Sequence, residues 1–119
     1  VGLHIAAMSE ALVLGSKAGV DAEKMIAALS GGLAQSRVLE LRGPNLVKGE
    51  YPPGFRIRLH RKDLRLAMEA GAELGVALPS AGTLYQLFNA LVTSGRGDLD
   101  HSGYATLIED LAGHKISGG

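Results

Sequence analysis

Apolar side chains recur along this chain at the three- and four-residue spacing of an α-helix, and no stretch alternates convincingly with period two. Leu3, Ile5, Met8 and Leu12 open the pattern with alanines between them. Apolar groups also fall on the other faces, so this first helix is expected to be buried nearly all round. No Ser, Thr, Asp or Asn precedes it to cap its free N–H groups, so it reads as a longer helix truncated at Val1. Gly19 ends it, and Asp21 can cap a second helix whose Met25, Ile26 and Leu29 face inward before Gly31-Gly32 stops it. A third short helix is expected over Ala34 to Leu41. Gly43-Pro44 and Tyr51-Pro52-Pro53-Gly54 then bracket a connection in which proline forbids regular structure. From Ile57 to Gly75 the pattern is helical again, with Leu59, Leu64, Ala67, Met68 and Leu74 on one broad face. Pro79 suits the first turn of the next helix, whose Leu84, Leu87, Phe88 and Leu91 run on to Gly95. Tyr104, Leu107, Ile108 and Leu111 form a last helix with Asp100 or Ser102 as its cap. The pattern predicts an all-α fold, a single domain over residues 1–119 built as a bundle of five to seven helices.

Composition narrows the function classes. Twelve Lys and Arg balance twelve Asp and Glu, so net charge calls for neither nucleic acid nor an anionic membrane. The absence of cysteine excludes disulfides and thiolate metal sites, and suits a cytoplasmic location. The opening apolar run is interrupted by His4, Ser9 and Glu10, too short and polar to span a bilayer, and it lacks the basic leader of a signal peptide.

Charge is nonetheless concentrated locally. Arg56, Arg58, His60, Arg61, Lys62 and Arg65 crowd one helix start, where cations oppose the macrodipole. Such a cluster is either a solvated basic face or a site for a carboxylate or phosphate. Asp63 is its lone carboxylate, which an ordinary ion pair would explain. Phe55, after Pro-Pro-Gly, suits a hydrophobic staple onto the helix that follows. His4, His60, His101 and His114 lack the spacing of paired metal ligands, so metal binding is not expected. Asp98, Asp100, His101 and Ser102 contain the residue types of a hydrolytic triad, but within one loop they read as helix capping. Gly31-Gly32 and Gly95-Arg96-Gly97 follow no strand and read as helix stops, not phosphate cradles.

In order and spacing, IAAMSEAL (Ile5–Leu12), KAGV (Lys17–Val20), GGLA (Gly31–Ala34), PGFRIRLHRKDL (Pro53–Leu64) and the late DHS (Asp100–Ser102) resemble the β-hydroxyacid dehydrogenase family, nearest the branch that reduces tartronate semialdehyde. The resemblance covers essentially the whole chain. It implies the all-helical C-terminal domain of an enzyme whose Rossmann domain and K-x-x-N catalytic lysine lie ahead of Val1, so no catalytic residue is expected within residues 1–119. It further implies that Lys62 contacts an NAD or NADP cofactor, held mainly by the other domain, and that Phe55 and Asp63 line the substrate end of the cleft. His4 departs from the asparagine expected there, and Arg61 and Arg65 stand where relatives vary. The implied reaction is reversible hydride transfer to or from a small 2- or 3-hydroxy acid or semialdehyde, with 3-hydroxyisobutyrate as the alternative to tartronate semialdehyde. The implied assembly is a homo-oligomer, a dimer or tetramer, and the exposed apolar groups of the first helix point the same way. A free-standing helical assembly module without catalytic function is the competing expectation from another class.

Overall fold

The computed structural model describes residues 1–118 and contains six α-helices: α1 (Gly2–Lys17), α2 (Ala22–Leu29), α3 (Arg37–Lys48), α4 (Ile57–Leu74), α5 (Pro79–Thr93) and α6 (Ala105–Ala112), with a 3-10 turn at His101–Tyr104 leading into α6. Among the described residues there is no strand, only an isolated antiparallel bridge between Arg56 and Asp100. Among the described residues no helix is long and apolar enough to cross a membrane.

The central element is α1, which packs against α2, α3, α5, α6 and the 3-10 turn. Its Ile5, Met8, Leu12 and Val13 join Leu39 and Leu46 of α3, Leu84, Phe88 and Leu91 of α5, and Tyr104 in one core. Ser9 is buried in the same stripe and donates its hydroxyl back to the Ile5 carbonyl at 2.7 Å, so its polar group needs no partner from another helix. Burial all round, as the sequence pattern predicts, is not what this chain achieves. Leu3 and Leu14 remain 48% and 75% exposed, because every partner of α1 within the chain lies on one side of it.

Local chemistry sets most boundaries. Asp21 accepts from the Lys24 amide at 3.0 Å and starts α2, and Ser36 does the same for α3 through Leu39 at 2.9 Å. Gly49 and Gly75 close α3 and α4 in the left-handed conformation, at φ 70° and 69°. Pro79 opens α5 at its first turn.

Three expectations fail in register. First, α3 runs through Gly43-Pro44 to Lys48. Pro44 leaves the Glu40 carbonyl without its helical donor, at a cost on the order of 3 kcal/mol. Burial of Leu39, Gly43 and Leu46 on one stripe offsets it, and the bare Gly43 lets the Ile26 side chain approach to where an added Cβ would sit 3.0 Å from it. Second, α4 buries Ile57, His60 and Gly71, with Leu64 and Met68 half-buried, and turns Leu59, Ala67 and Leu74 outward. The imidazole of His60 takes the inward place that an apolar count assigns to Leu59. Third, Leu111 of α6 is exposed whereas Glu109 is buried, its carboxylate accepting from the Ile116 amide at 2.7 Å.

Replacing Leu12, fully buried at the centre of α1, by Ala is expected to lower unfolding stability by about 2–5 kcal/mol, against less than about 0.5 kcal/mol for Leu74→Gln at the open end of α4. Urea denaturation of the two variants checks this; equal midpoints would contradict the assigned core.

Candidate functional site

Two irregular segments far apart in sequence are zipped together beside the start of α4. The Asp100 amide donates to the Tyr51 carbonyl at 3.1 Å and the His101 amide to Phe55 at 2.7 Å, while Ile57 and Arg58 donate to Leu99 and Gly97, both at 2.9 Å. Proline leaves the 51–54 segment few backbone donors, and the other segment completes its bonding.

The Asp100 carboxylate, 1% exposed, locks this junction. One oxygen accepts from the Gly54 and Phe55 amides at 3.2 and 2.9 Å. The other accepts from the Ser102 amide at 3.0 Å and from the Ser102 hydroxyl, and faces Arg42 Nε at 3.3 Å. Asn45 donates in turn to the Ser102 hydroxyl oxygen at 3.0 Å. A Cβ on Gly54 would lie 3.0 Å from the carboxylate, so a side chain there would push the tether apart. Burial raises the Asp100 pKa, but the Ser102 hydroxyl and the Phe55 and Ser102 amides outweigh it, leaving the group ionised below its ordinary range.

Next to this lock lie two buried imidazoles. Arg42 Nε donates to His101 Nε2 at 3.2 Å, and His101 Nδ1 meets His60 Nδ1 at 3.0 Å. A guanidinium only donates, so His101 carries its proton on Nδ1, passes it toward His60 Nδ1, and leaves the His60 proton on Nε2. Phe55 and Phe88 close the pair edge-on, with ring centroids 5.7 and 5.0 Å from His60. Burial first, then His101 and the Val1 ammonium, pull the His60 pKa down to about 4 against an opposing pull from Asp63. His101 is lowered as well, by burial, with Asp100 opposing and Arg42 and Val1 reinforcing. Both rings are therefore neutral at pH 7, consistent with their shared hydrogen bond.

The basic cluster of the sequence divides. His60 turns inward, Arg56 and Arg58 reach Asp98 at 3.7 and 2.8 Å, and Arg58, Arg61, Lys62 and Arg65 line an open groove of about 480 Å³ between α4 and α5. Leu59, Tyr85 and Asn89 complete its walls, and no carboxylate is among them. Lys62 is thus exposed to that groove. Phe55 is not one of its walls; it stands before α4, half-buried against His60 and His101, in the position of a staple whose partner four residues into the helix is His60. Asp63 is exposed and, among the described residues, forms no ion pair, so the simple pairing expected for it is absent. It lies near enough to His60 to act on its titration. Among the described residues no three His, Cys, Asp or Glu side chains converge as a metal site would require.

Sequence reasoning anticipated Asp100 as a cap but not its burial, and it missed Arg42, Asn45 and the pairing of His60 with His101. The one available signal was a DHS run too polar for the apolar helix it precedes.

The family described as "NAD-binding of NADP-dependent 3-hydroxyisobutyrate dehydrogenase" matches residues 1–108. A 2-hydroxy-3-oxopropionate reductase of Escherichia coli is 44% identical over 98% of this chain and 40% of its own length. A solved 3-hydroxyisobutyrate dehydrogenase of Salmonella typhimurium superposes with a TM-score of 0.84 at 30% identity, over 89% of this chain and 37% of that one. A 3-hydroxyisobutyrate dehydrogenase of Mycobacterium tuberculosis, solved with L-serine, gives 0.81 at 25% identity over 90% and 39%. The chain thus spans about two-fifths of the length of these relatives.

Titration of the buried pair makes stability depend on pH. Unfolded, His60 takes a proton near pH 6.5; folded, only near about 4. Between those values the unfolded chain binds the extra proton, so stability held above pH 6.5 is lost as pH falls toward 4, by about 3 kcal/mol in total. Urea midpoints at pH 7.5 and 4.5 are expected to differ less for His60→Gln than for the wild type; an unchanged difference would assign the acid sensitivity elsewhere. Asp100→Ala, which leaves Arg42 and the clustered amides without their acceptor, is expected to cost roughly 3–5 kcal/mol at pH 7 in the same assay.

Proposed function

This chain belongs to the family of NAD-binding domains of NADP-dependent 3-hydroxyisobutyrate dehydrogenases, and from that premise we propose that it is the all-helical, cleft-forming C-terminal domain of a reductase interconverting tartronate semialdehyde and glycerate. What carries the reading is its likeness, over almost all of its length, to the Escherichia coli 2-hydroxy-3-oxopropionate reductase.

The groove between α4 and α5 fits an anionic dinucleotide in its donor set: four cations, a phenol and an amide line it without a carboxylate. In this proposal Lys62 holds the cofactor by charge, and the nicotinamide, when bound, supplies or accepts the hydride. Phe55, backed by His60 and His101, excludes water at the substrate end. Asp63 orients a substrate hydroxyl or Lys62 itself. The proton on the substrate oxygen falls to a lysine ahead of Val1, in the part of the longer enzyme this chain does not span. A 3-hydroxyisobutyrate or related 3-hydroxy acid dehydrogenase is the second reading, favoured by the name of the matching family and of both solved relatives. The open face of α1, with Leu3 and Leu14, supports a homodimer or tetramer.

In the complete enzyme, Lys62→Ala is expected to raise the KM for the nicotinamide cofactor roughly tenfold or more, as loss of a charge-assisted contact would. Steady-state kinetics with tartronate semialdehyde and with 3-hydroxyisobutyrate separate the two readings, and an unchanged cofactor KM would remove Lys62 from its role. The 119-residue chain alone is expected not to turn over NADH.

A further inference from the structure

The hydrogen-bond chain from Arg42 through His101 to His60 ends on a donor that nothing takes. His60 is 93% buried by its 7% exposure, and among the described residues no acceptor reaches its Nε2. The ring is largely buried, but Nε2 itself keeps contact with solvent: among the described residues the fully buried side-chain polar atom without a partner is Tyr51 Oη, so the Nε2–H is an unused donor at the edge of the core that a ligand oxygen can reach. The imidazole edge bearing that proton lies against Gly2, where an added Cβ would stand 3.1 Å from Nε2, so the smallest residue occupies the spot facing the donor. On α4 the ring sits between Phe55, which packs edge-on against it, and Asp63, one helical turn further on.

We infer that His60 is a specificity-determining residue, whose Nε2–H donates a hydrogen bond to a carboxylate or carbonyl oxygen of the hydroxy acid or semialdehyde substrate. This rests on the reductase reading above. The direction of the chain carries the inference. Arg42 cannot accept, so His101 cannot put its proton on Nε2 while it holds that bond, and His60 cannot present a lone pair at Nε2 without breaking the link between the two Nδ1 atoms. His60 is therefore a donor only, not a general base. Asp63 nearby accepts only, when ionised. A donor and an acceptor flanked by an aromatic ring match a small hydroxy acid, which offers oxygen lone pairs and a hydroxyl proton within a few ångströms of each other.

The test uses the complete enzyme with NAD bound. Long-range ¹⁵N–¹H spectra of its imidazoles should show His101 protonated at Nδ1 and His60 at Nε2, and titration with glycerate should move the His60 Nε2 resonance saturably. This wild-type measurement does not depend on any variant folding. In kinetics, His60→Phe should raise the substrate KM roughly ten- to hundredfold, with a smaller change in kcat and none in cofactor KM. His60→Gln, which keeps an N–H donor, should recover most of the loss. A His60 resonance unmoved by saturating glycerate, or a His60 protonated at Nδ1, overturns the inference whether or not the enzyme turns over. An enzyme inactive on every hydroxy acid whose His60 resonance still responds to glycerate would instead sink the reductase reading and leave the donor site standing.

Discussion

One carboxylate with almost no contact with water organises the site. Asp100 gathers the backbone amides of Gly54 and Phe55 and that of Ser102 in its own turn, and its second oxygen faces the guanidinium of α3. Those contacts fix where the chain enters α4, and that entry angle sets the orientation of Phe55 and His60. Removal of the acceptor would leave several buried donors unpaired at once, a costly outcome in a low-dielectric interior. The arrangement also explains why segments rich in proline and glycine are well positioned without regular secondary structure.

The polar lock and the apolar hub share the work of the fold. Around α1, burial of aliphatic and aromatic side chains supplies the non-directional attraction that holds the helices together. At the other end, directional bonds among Arg42, Asp100, His101 and His60 select one arrangement of the connecting segments. The α4–α5 hairpin projects from this base and carries the basic groove on its surface. Because the lock also sets the start of α4, Lys62 inherits its position from a network it does not touch. Two sides of α4 thus serve two purposes: a charged groove faces outward, and a neutral imidazole pair packs inward against two phenylalanines.

Where the chain turns was legible because turning is local chemistry. Asp21 and the glycines after α1, α3 and α4 act within a few residues of themselves, and they mark the boundaries found. Pro44 misled for a tertiary reason: the loss of one helical bond is outweighed by core contacts from Leu39, Gly43 and Leu46 that no local rule counts. The inward face of α4 misled because an apolar tally ranks Leu59 above His60. The imidazole can be buried only because Arg42 and His101, 18 residues before it and 41 after it, complete its bonding.

The sequence by itself determined that this protein is helical, roughly where its helices lie, and that its cations concentrate at the start of α4, since periodicity, caps and charge are properties of neighbouring residues. Its motifs were also enough to suggest the family. Tertiary structure alone decided which cations remain on the surface, that the two central histidines share one hydrogen bond, and which of their nitrogens carry protons. Those outcomes depend on burial and on partners brought from opposite ends of the chain, and neither is encoded in any window short enough to be read as a motif.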